Sequence, residues 1–258
     1  GDDEVKLFIS CNDHDTLLLF SDRGVAYALP AYRVPLSSRT AKGTPSVQLL
    51  PIPREEQITS LLSVESFEND YYLLMLTKGG FIKRTPLSAF SKIRSNGLIA
   101  ISLEDGDALT WVRSSSEGDS VLIGSSRGMT IHFRLDTNEL RPLGRTARGV
   151  KSMNLRDGDQ LVSMDVLTSE LVEQLSNLKE DGMDINDGLG DDLLEGPWVL
   201  VASSFGLGKR VPVTQFRLQK RAGMGLKAIK FRINNDVLVG LKVLGKGEEI
   251  LLVTEKGV

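Results

Sequence analysis

The sequence predicts an all-β fold of propeller type, assembled from four-stranded units of about 50 residues. Three observations predict it. A short phrase recurs five times: a run of apolar residues, a polar turn closed by glycine, then an extended segment. The glycines of the five copies, Gly24, Gly80, Gly128, Gly206 and Gly257, are 56, 48, 78 and 51 residues apart. The long interval contains an acidic insertion at 169–195. Finally, charge alternates in sign along the chain in phase with the repeat.

Each unit opens with a hairpin. The apolar runs are Leu17–Phe20, Leu73–Leu76, Val121–Gly124, Val199–Ala202 and Ile250–Val253. The turn glycine supplies the positive φ that a tight β-turn needs. A second landmark follows the first four hairpins: Arg39-Thr-Ala-Lys42-Gly43, Ile93-Arg94-Ser-Asn96-Gly97, Arg145-Thr-Ala-Arg148-Gly149 and Arg221-Ala-Gly-Met-Gly225. Alternating apolar positions come next, Val47 and Leu49, Ile99 and Ile101, Val150 with Met153 and Leu155, Ile229 with Phe231, which predict a strand with one buried face. The acid-rich turns Glu104-Asp105-Gly106-Asp107 and Arg156-Asp157-Gly158-Asp159 form a third landmark. Their recurrence at one repeat position points to turn formation rather than to acid–base chemistry or Ca²⁺. Apolar runs such as Ile58–Val64, Leu161–Val166 and Val237–Val243 complete each unit. The expected organisation is one domain over 1–258, with blades at roughly 5–58, 59–110, 111–162 and 163–240, and a partial one at 241–258. The last copy stops in mid-hairpin, which would leave an open edge, so the sequence is expected to be part of a longer array.

Composition bounds the class. The chain has 258 residues and a net charge of −3, an ordinary soluble mix. No apolar run reaches the length of about 18 residues that a spanning helix needs. The acidic start, Gly1-Asp2-Asp3-Glu4, is not a targeting peptide. One cysteine, Cys11, excludes a disulfide framework, fits a reducing compartment, and is read as a small core residue. His14, His132 and Cys11 do not make a familiar zinc site.

The local charge is more informative than the total. Residues 16–54 sum to +4, 71–103 to +5, 120–156 to +5 and 196–235 to +8. The intervening stretches 55–70, 104–119 and 157–195 sum to −5, −4 and −11. Residues 71–103 and 196–235 contain no acid at all. Repeats stacked side by side would place like charge beside like charge. Such a row of cations repels itself unless a polyanion neutralises it. The insertion, with nine acids against Lys179, could shield the adjacent basic blade, and Val172–Leu178 within it could form a short helix.

The chain resembles the C-terminal domain of the DNA gyrase A subunit, shared with topoisomerase IV. The residues that carry the resemblance are His14–Phe20 with Arg23-Gly24, Gly80-Phe-Ile-Lys83-Arg84-Thr85, Arg145–Val150, and Phe205-Gly-Leu-Gly-Lys209-Arg210. The resemblance implies a six-bladed β-pinwheel whose neighbouring blades exchange a strand and whose basic rim wraps duplex DNA. It implies a non-catalytic domain of an ATP-dependent type II topoisomerase. Its partners would be the gyrase B subunit, together with the A-subunit breakage-reunion core. No cofactor belongs to this domain, ATP and Mg being held elsewhere in the parent. The signature heptapeptide Gln-Arg-Arg-Gly-Gly-Lys-Gly is absent, and Gln219–Gly225 is a degenerate version in the fourth copy, which leaves gyrase and topoisomerase IV both open.

Phosphate contacts need only Lys and Arg, since they carry no sequence information. The candidates are Arg39, Lys42, Lys83, Arg84, Lys92, Arg94, Arg145, Arg148, Lys151, Lys209, Arg210, Lys220, Arg221 and Lys227. Catalysis is not expected: Tyr27, Tyr32, Tyr71 and Tyr72 read as packing residues on or beside strands, and Gly206–Arg210 lacks the phosphate-loop spacing. The other classes are a protein-interaction propeller, which lacks the usual blade signatures, and an enzymatic propeller, which would need convergent acids or metal ligands. The expected location is the cytoplasm at the nucleoid, or a plant chloroplast or mitochondrion. The insertion and the Ala41–Pro45 stretch are similar to cyanobacterial and plastid relatives.

Overall fold

A computed structural model describes residues 7–38, 40–173 and 197–245. It consists of short antiparallel strands: β1 (Thr16–Ser21), β2 (Val25–Pro30), β3 (Ile58–Val64), β4 (Tyr72–Thr77), β5 (Phe81–Pro86), β6 (Leu98–Ile99), β7 (Leu109–Ser115), β8 (Ser120–Ser125), β9 (Met129–Arg134), β10 (Val150–Lys151), β11 (Leu161–Leu167), β12 (Trp198–Ser203), β13 (Gly208–Pro212), β14 (Leu226–Lys227) and β15 (Leu238–Leu244). They form four sheets in the orders β3-β1-β2-β6, β10-β5-β4-β7, β11-β8-β9-β14 and β13-β12-β15. The first three each take their fourth strand from a later part of the chain.

The hairpins lie where the apolar phrase places them. In the first, Thr16 faces Pro30 and Phe20 faces Ala26, around a turn in which Gly24 has φ +76°. A side chain at Gly24 would also meet the carbonyl oxygen of Ile101 at 2.7 Å, so the turn is closed by a later segment of the chain as well as by its own geometry. The fifth expected hairpin, around Gly257, lies outside the described residues, as do 174–196 of the acidic insertion. Residues 169–173 are helical, which is as far as the expected helix over Val172–Leu178 is described.

Each apolar run pairs with the hairpin before it. Ile58–Val64 lies against β1, with Thr16 opposite Val64. Sheet boundaries therefore fall between Val64 and Tyr72, Ser115 and Ser120, and Leu167 and Trp198, several residues later than the landmark divisions at 58, 110 and 162.

The segments after the second landmark differ from expectation. Only two residues of each of the last three join a ladder. Past β6, the amides of Ala100 and Ile101 both turn to the carbonyl of Gly24, which ends the alternation. Ile99 is thus 52% exposed while Ile101 is buried. The segment containing Val47 and Leu49 is a helical turn, α1 (Ser46–Leu49), not a strand. Pro45 supports it, its carbonyl accepting the Gln48 amide, and no sheet edge among the described residues pairs with it.

The chain divides into two compact units: residues up to Ser114 with Pro142–Val150, and Ser115–Arg141 with Lys151 onward. In the first, Leu18, Phe20, Leu73, Met75, Phe90, Leu109 and Val112 form one core, with Phe20 and Phe90 edge to face at 6.1 Å. In the second, Leu122, Val199, Val201, Val213, Phe216 and Leu238 do the same. Truncating one such leucine to alanine costs about 2–5 kcal/mol.

The recurring acids are turn staples, as their spacing implies. Asp107 accepts from the Gly79 and Ala108 amides, Asp159 from Ser125, Ser126 and the Arg127 amide, and Asp236 from Ser204 and the Phe205 amide. In the first hairpin the roles are swapped, with Asp22 in the turn accepting from the Gln57 amide. Burial opposes ionisation of Asp159 and Asp236, but these donors outweigh it and hold both carboxyls below the ordinary range.

Cys11 is exposed, not a core residue: it lies in the segment before the Asn12–Asp15 turn, outside the first strand. Tyr32 is 67% exposed, because the short 3-10 turn Ala31–Arg33 directs it away from the sheet that buries Tyr27. Tyr71 and Tyr72 are half-buried, and His132 is held between the Phe216 carbonyl and the Ser120 hydroxyl.

Candidate nucleic-acid interface

The basic loops are built by strand exchange. After the hairpin, a proline ends the second strand: Pro30, Pro86 and Pro212, with φ near −55°, each lead into a 3-10 turn. After Pro86, after Pro212, and after β9, which ends without a proline, a loop carrying cations follows and the chain returns as β6, β14 and β10 on the preceding sheet, with Val25 opposite Ile99 and Thr130 opposite Leu226, whereas the loop after Pro30 leads to α1. Gly149 shows why the landmark ends in glycine. Its φ is +95°, and a Cβ there would lie 2.5 Å from the carbonyl oxygen of Ile82, so only glycine lets the exchanged segment close on β5.

Among the candidate cations, Lys42, Lys92, Arg94, Arg148 and Lys220 lie on loops, Lys151 and Lys227 end the exchanged strands β10 and β14, and all of these face solvent. Lys209 and Arg210 are exposed on β13, with the Arg210 guanidinium 5.2 Å from the centre of the Trp198 ring. Arg148 lies over the Phe81 ring at 4.4 Å and pairs with Glu104, while Lys151 donates to Asn154 at 2.8 Å. Arg145 and Arg221 are half-buried and bonded to main-chain carbonyls. Arg39 lies outside the described residues.

Lys83 and Arg84 are not surface cations. Both are fully buried. Lys83 Nζ donates to the carbonyls of Gly144 and Arg145 at 2.9 and 2.7 Å, and Arg84 stacks on Tyr72 at 4.5 Å while its own carbonyl accepts the Leu143 amide. They hold the exchanged segment 142–150 in place. Burial strips water from the Lys83 ammonium, and the Arg145 charge adds repulsion, so its pKa is pushed down to about 7.

Three further cations belong with the exposed set. Lys230 and Arg232 share with Lys209 a groove of about 360 Å³ floored by Ile229 and Phe231, and Arg217 is exposed on the preceding loop. The signal that finds them is the acid-free run 196–235, which they share with the candidates already named. Among the described residues no group of three His, Cys, Asp or Glu side chains could hold a metal ion.

The exchanged strands and basic loops recur three times in one register, and the same segments match a family model. That model, described as DNA gyrase C-terminal domain, beta-propeller, covers residues 15–65, 71–116, 119–168 and 197–244. The chain belongs to this family. Each matched segment of the gyrase C-terminal family holds the strands of one sheet that are contiguous in the chain, and the last three also hold the short strand given to the preceding sheet. The chain is 56% identical to the DNA gyrase A subunit of Synechocystis sp. over its whole length, and 39% identical to the chloroplastic/mitochondrial DNA gyrase A subunit of Arabidopsis thaliana. It spans 31% and 27% of those two proteins. Among solved structures, the C-terminal domain of DNA topoisomerase IV matches with a TM-score of 0.70 and 26% identity, covering 90% of this chain and 64% of that one. A DNA gyrase A C-terminal domain matches at 0.52 and 19% identity, covering 93% and 90%, which bears on the fold alone. Among the described residues no helix is long and apolar enough to cross a membrane.

Proposed function

We propose that this chain is the DNA-wrapping part of a gyrase A subunit. It binds duplex DNA through phosphates, without reading bases, and bends it. The parent, an ATP-dependent type II topoisomerase in which the A-subunit core joins a B subunit, would use that bend to pass strands in one direction and introduce negative supercoils. ATP and Mg would belong to those other parts. The relatives named gyrase support gyrase over topoisomerase IV. They also support a cyanobacterial cytoplasm or a plant organelle as its location.

One observation carries the reading: exposed cations cluster at the exchange segments, Lys92 and Lys220 at one position of the repeat and Lys151 and Lys227 at another, while Asp107, Asp159 and Asp236 are occupied in hairpin turns. Bending 20–30 base pairs costs about 1–6 kcal/mol, so several phosphate contacts must act together. Each neutralised phosphate adds about 0.9 to the slope of log K against log salt. Replacing Lys209, Arg210, Lys220 and Lys227 by alanine is expected to flatten that slope by about 3 to 4. Duplex binding measured from low to high salt tests this, and an unchanged slope contradicts the contact set.

A further inference from the structure

Arg145 and Arg221 occupy the same place in successive basic loops. Each bonds an equivalent atom. Arg145 donates a guanidinium N–H at 3.0 Å to the carbonyl of Ile99, the last residue of β6. Arg221 donates one at 2.7 Å to the carbonyl of Lys151, the last residue of β10. Arg221 also gives its Nε–H to the Glu139 carbonyl at 2.8 Å, and its amide to the Glu139 carboxylate at 3.1 Å. Both side chains are half-buried, whereas Lys220 and Lys227 beside Arg221, and Arg148 beside Arg145, are exposed. In the loop between them and the first hairpin the same position is Ile93, which packs into the apolar core instead.

We propose that Arg145 and Arg221 are positioning residues for DNA wrapping rather than phosphate contacts. Each fixes its loop to the end of the preceding exchanged strand, and so sets where the exposed cations of that loop meet the duplex. Ile93 holds its loop by packing against the apolar core instead. The physical reason is that a cation on a loose loop follows the DNA, whereas a cation on a fixed loop makes a stiff duplex follow it. Affinity then depends on the number of exposed cations, and bending depends on the anchors. This inference rests on the wrapping function proposed above.

The test compares Arg221→Lys with Lys220→Ala in the 258-residue chain, with thermal melting to confirm folding. Three readouts are taken: duplex affinity against salt, the linking-number change left when nicked circles are sealed with protein bound, and hydrogen exchange of the loop in free protein. Arg221→Lys keeps the charge but does not span both carbonyls. It is expected to keep the salt slope, lose roughly half or more of the linking-number change, and raise exchange at Ala222 and its neighbours about tenfold. Lys220→Ala is expected to lower the slope by about 1 and keep the linking-number change per bound protein. Arg145→Lys repeats the test at the other anchor should Arg221→Lys not fold. Wild-type wrapping and exchange in the lysine variants overturn the proposal. So does an Arg221→Ala variant whose only defect is a slope lower by about 1, the mark of a phosphate contact. A wild-type chain that gives no linking-number change refutes the wrapping function itself, and the exchange data still decide whether Arg221 anchors its loop.

Discussion

Two stretches of the chain carry the same Lys-Arg pair at the same point of a hairpin, and they meet opposite fates. In the second sheet Lys83 faces Met75 and Arg84 faces Leu74; in the fourth Lys209 faces Val201 and Arg210 faces Leu200. The arginines even stack alike, on Tyr72 at 4.5 Å and on Trp198 at 5.2 Å. Yet Lys83 and Arg84 are fully buried, while Lys209 and Arg210 are exposed. The difference comes from the neighbouring chain. Residues 142–150 lie over β5 and offer their carbonyls to Lys83, whereas β13 has no exchanged strand among the described residues. One dipeptide is therefore a structural clamp in one sheet and a candidate phosphate contact in another.

Charge reversal breaks this comparison most severely. Lys83→Glu places a buried carboxylate against two carbonyl oxygens and is expected to cost at least about 4 kcal/mol. Lys209→Glu is expected to change stability by less than about 0.5 kcal/mol. Urea unfolding of the two variants checks this, and equal losses contradict the assignment of roles.

The next effect follows from replacing glycine in two copies of one motif. Gly149 has φ +95° and 2.5 Å of room before the Ile82 carbonyl, whereas a Cβ at Gly43 meets nothing within 4 Å. Gly149→Ala is expected to cost about 2 kcal/mol or more, and Gly43→Ala to stay within about 1 kcal/mol of neutral. Thermal melting separates them.

Acidity sharpens the contrast further. The unfolded chain holds the Lys83 proton up to about pH 10.5, and the folded chain releases it above about 7. Between those values the unfolded state binds more protons, so stability rises with pH, at most by about 1.4 kcal/mol per unit. Below pH 7 Lys83 is charged in both states and its contribution is flat. Lys83→Met removes the rise, so its unfolding free energy should fall progressively behind the wild type from pH 7 to 10, whatever the offset at pH 7. Parallel curves contradict a buried, titrating Lys83.

How much of this could be read from the residues depends on how far each cause lies along the chain. Hairpin turns were readable because glycine, apolar run and turn are contiguous, as at Leu17–Gly24 and Val121–Gly128. The acids were readable as turn formers, although the residues they staple lie some 30 positions earlier, as Ser125 does from Asp159. Burial of Lys83 was not readable, because its partners Gly144 and Arg145 are about 60 residues away. The anchoring of Arg145 and Arg221 was hidden for the same reason. The short exchanged strands keep an alternating period in sequence beyond their ladders, since Ile99 and Ile101 stay in phase after the ladder has ended at Ile99.

The smallest expected effect concerns the acidic segment. Its first residues are structural, since the Ser169 amide bonds Asp119 and Val172 is buried, so the informative deletion is 174–196 alone. Removing that net negative charge is expected to tighten duplex binding at low salt and to have little effect once salt screens it. Affinities equal at low salt contradict the shielding idea.

Lysine reactivity with and without duplex DNA tests the central claim most directly. DNA is expected to protect Lys92, Lys151, Lys209, Lys220, Lys227 and Lys230 from acetylation, while Lys83 is unreactive in both conditions. Loop lysines that react equally with and without DNA, or a Lys83 that reacts freely in the folded protein, would contradict the division between wrapping cations and buried clamp.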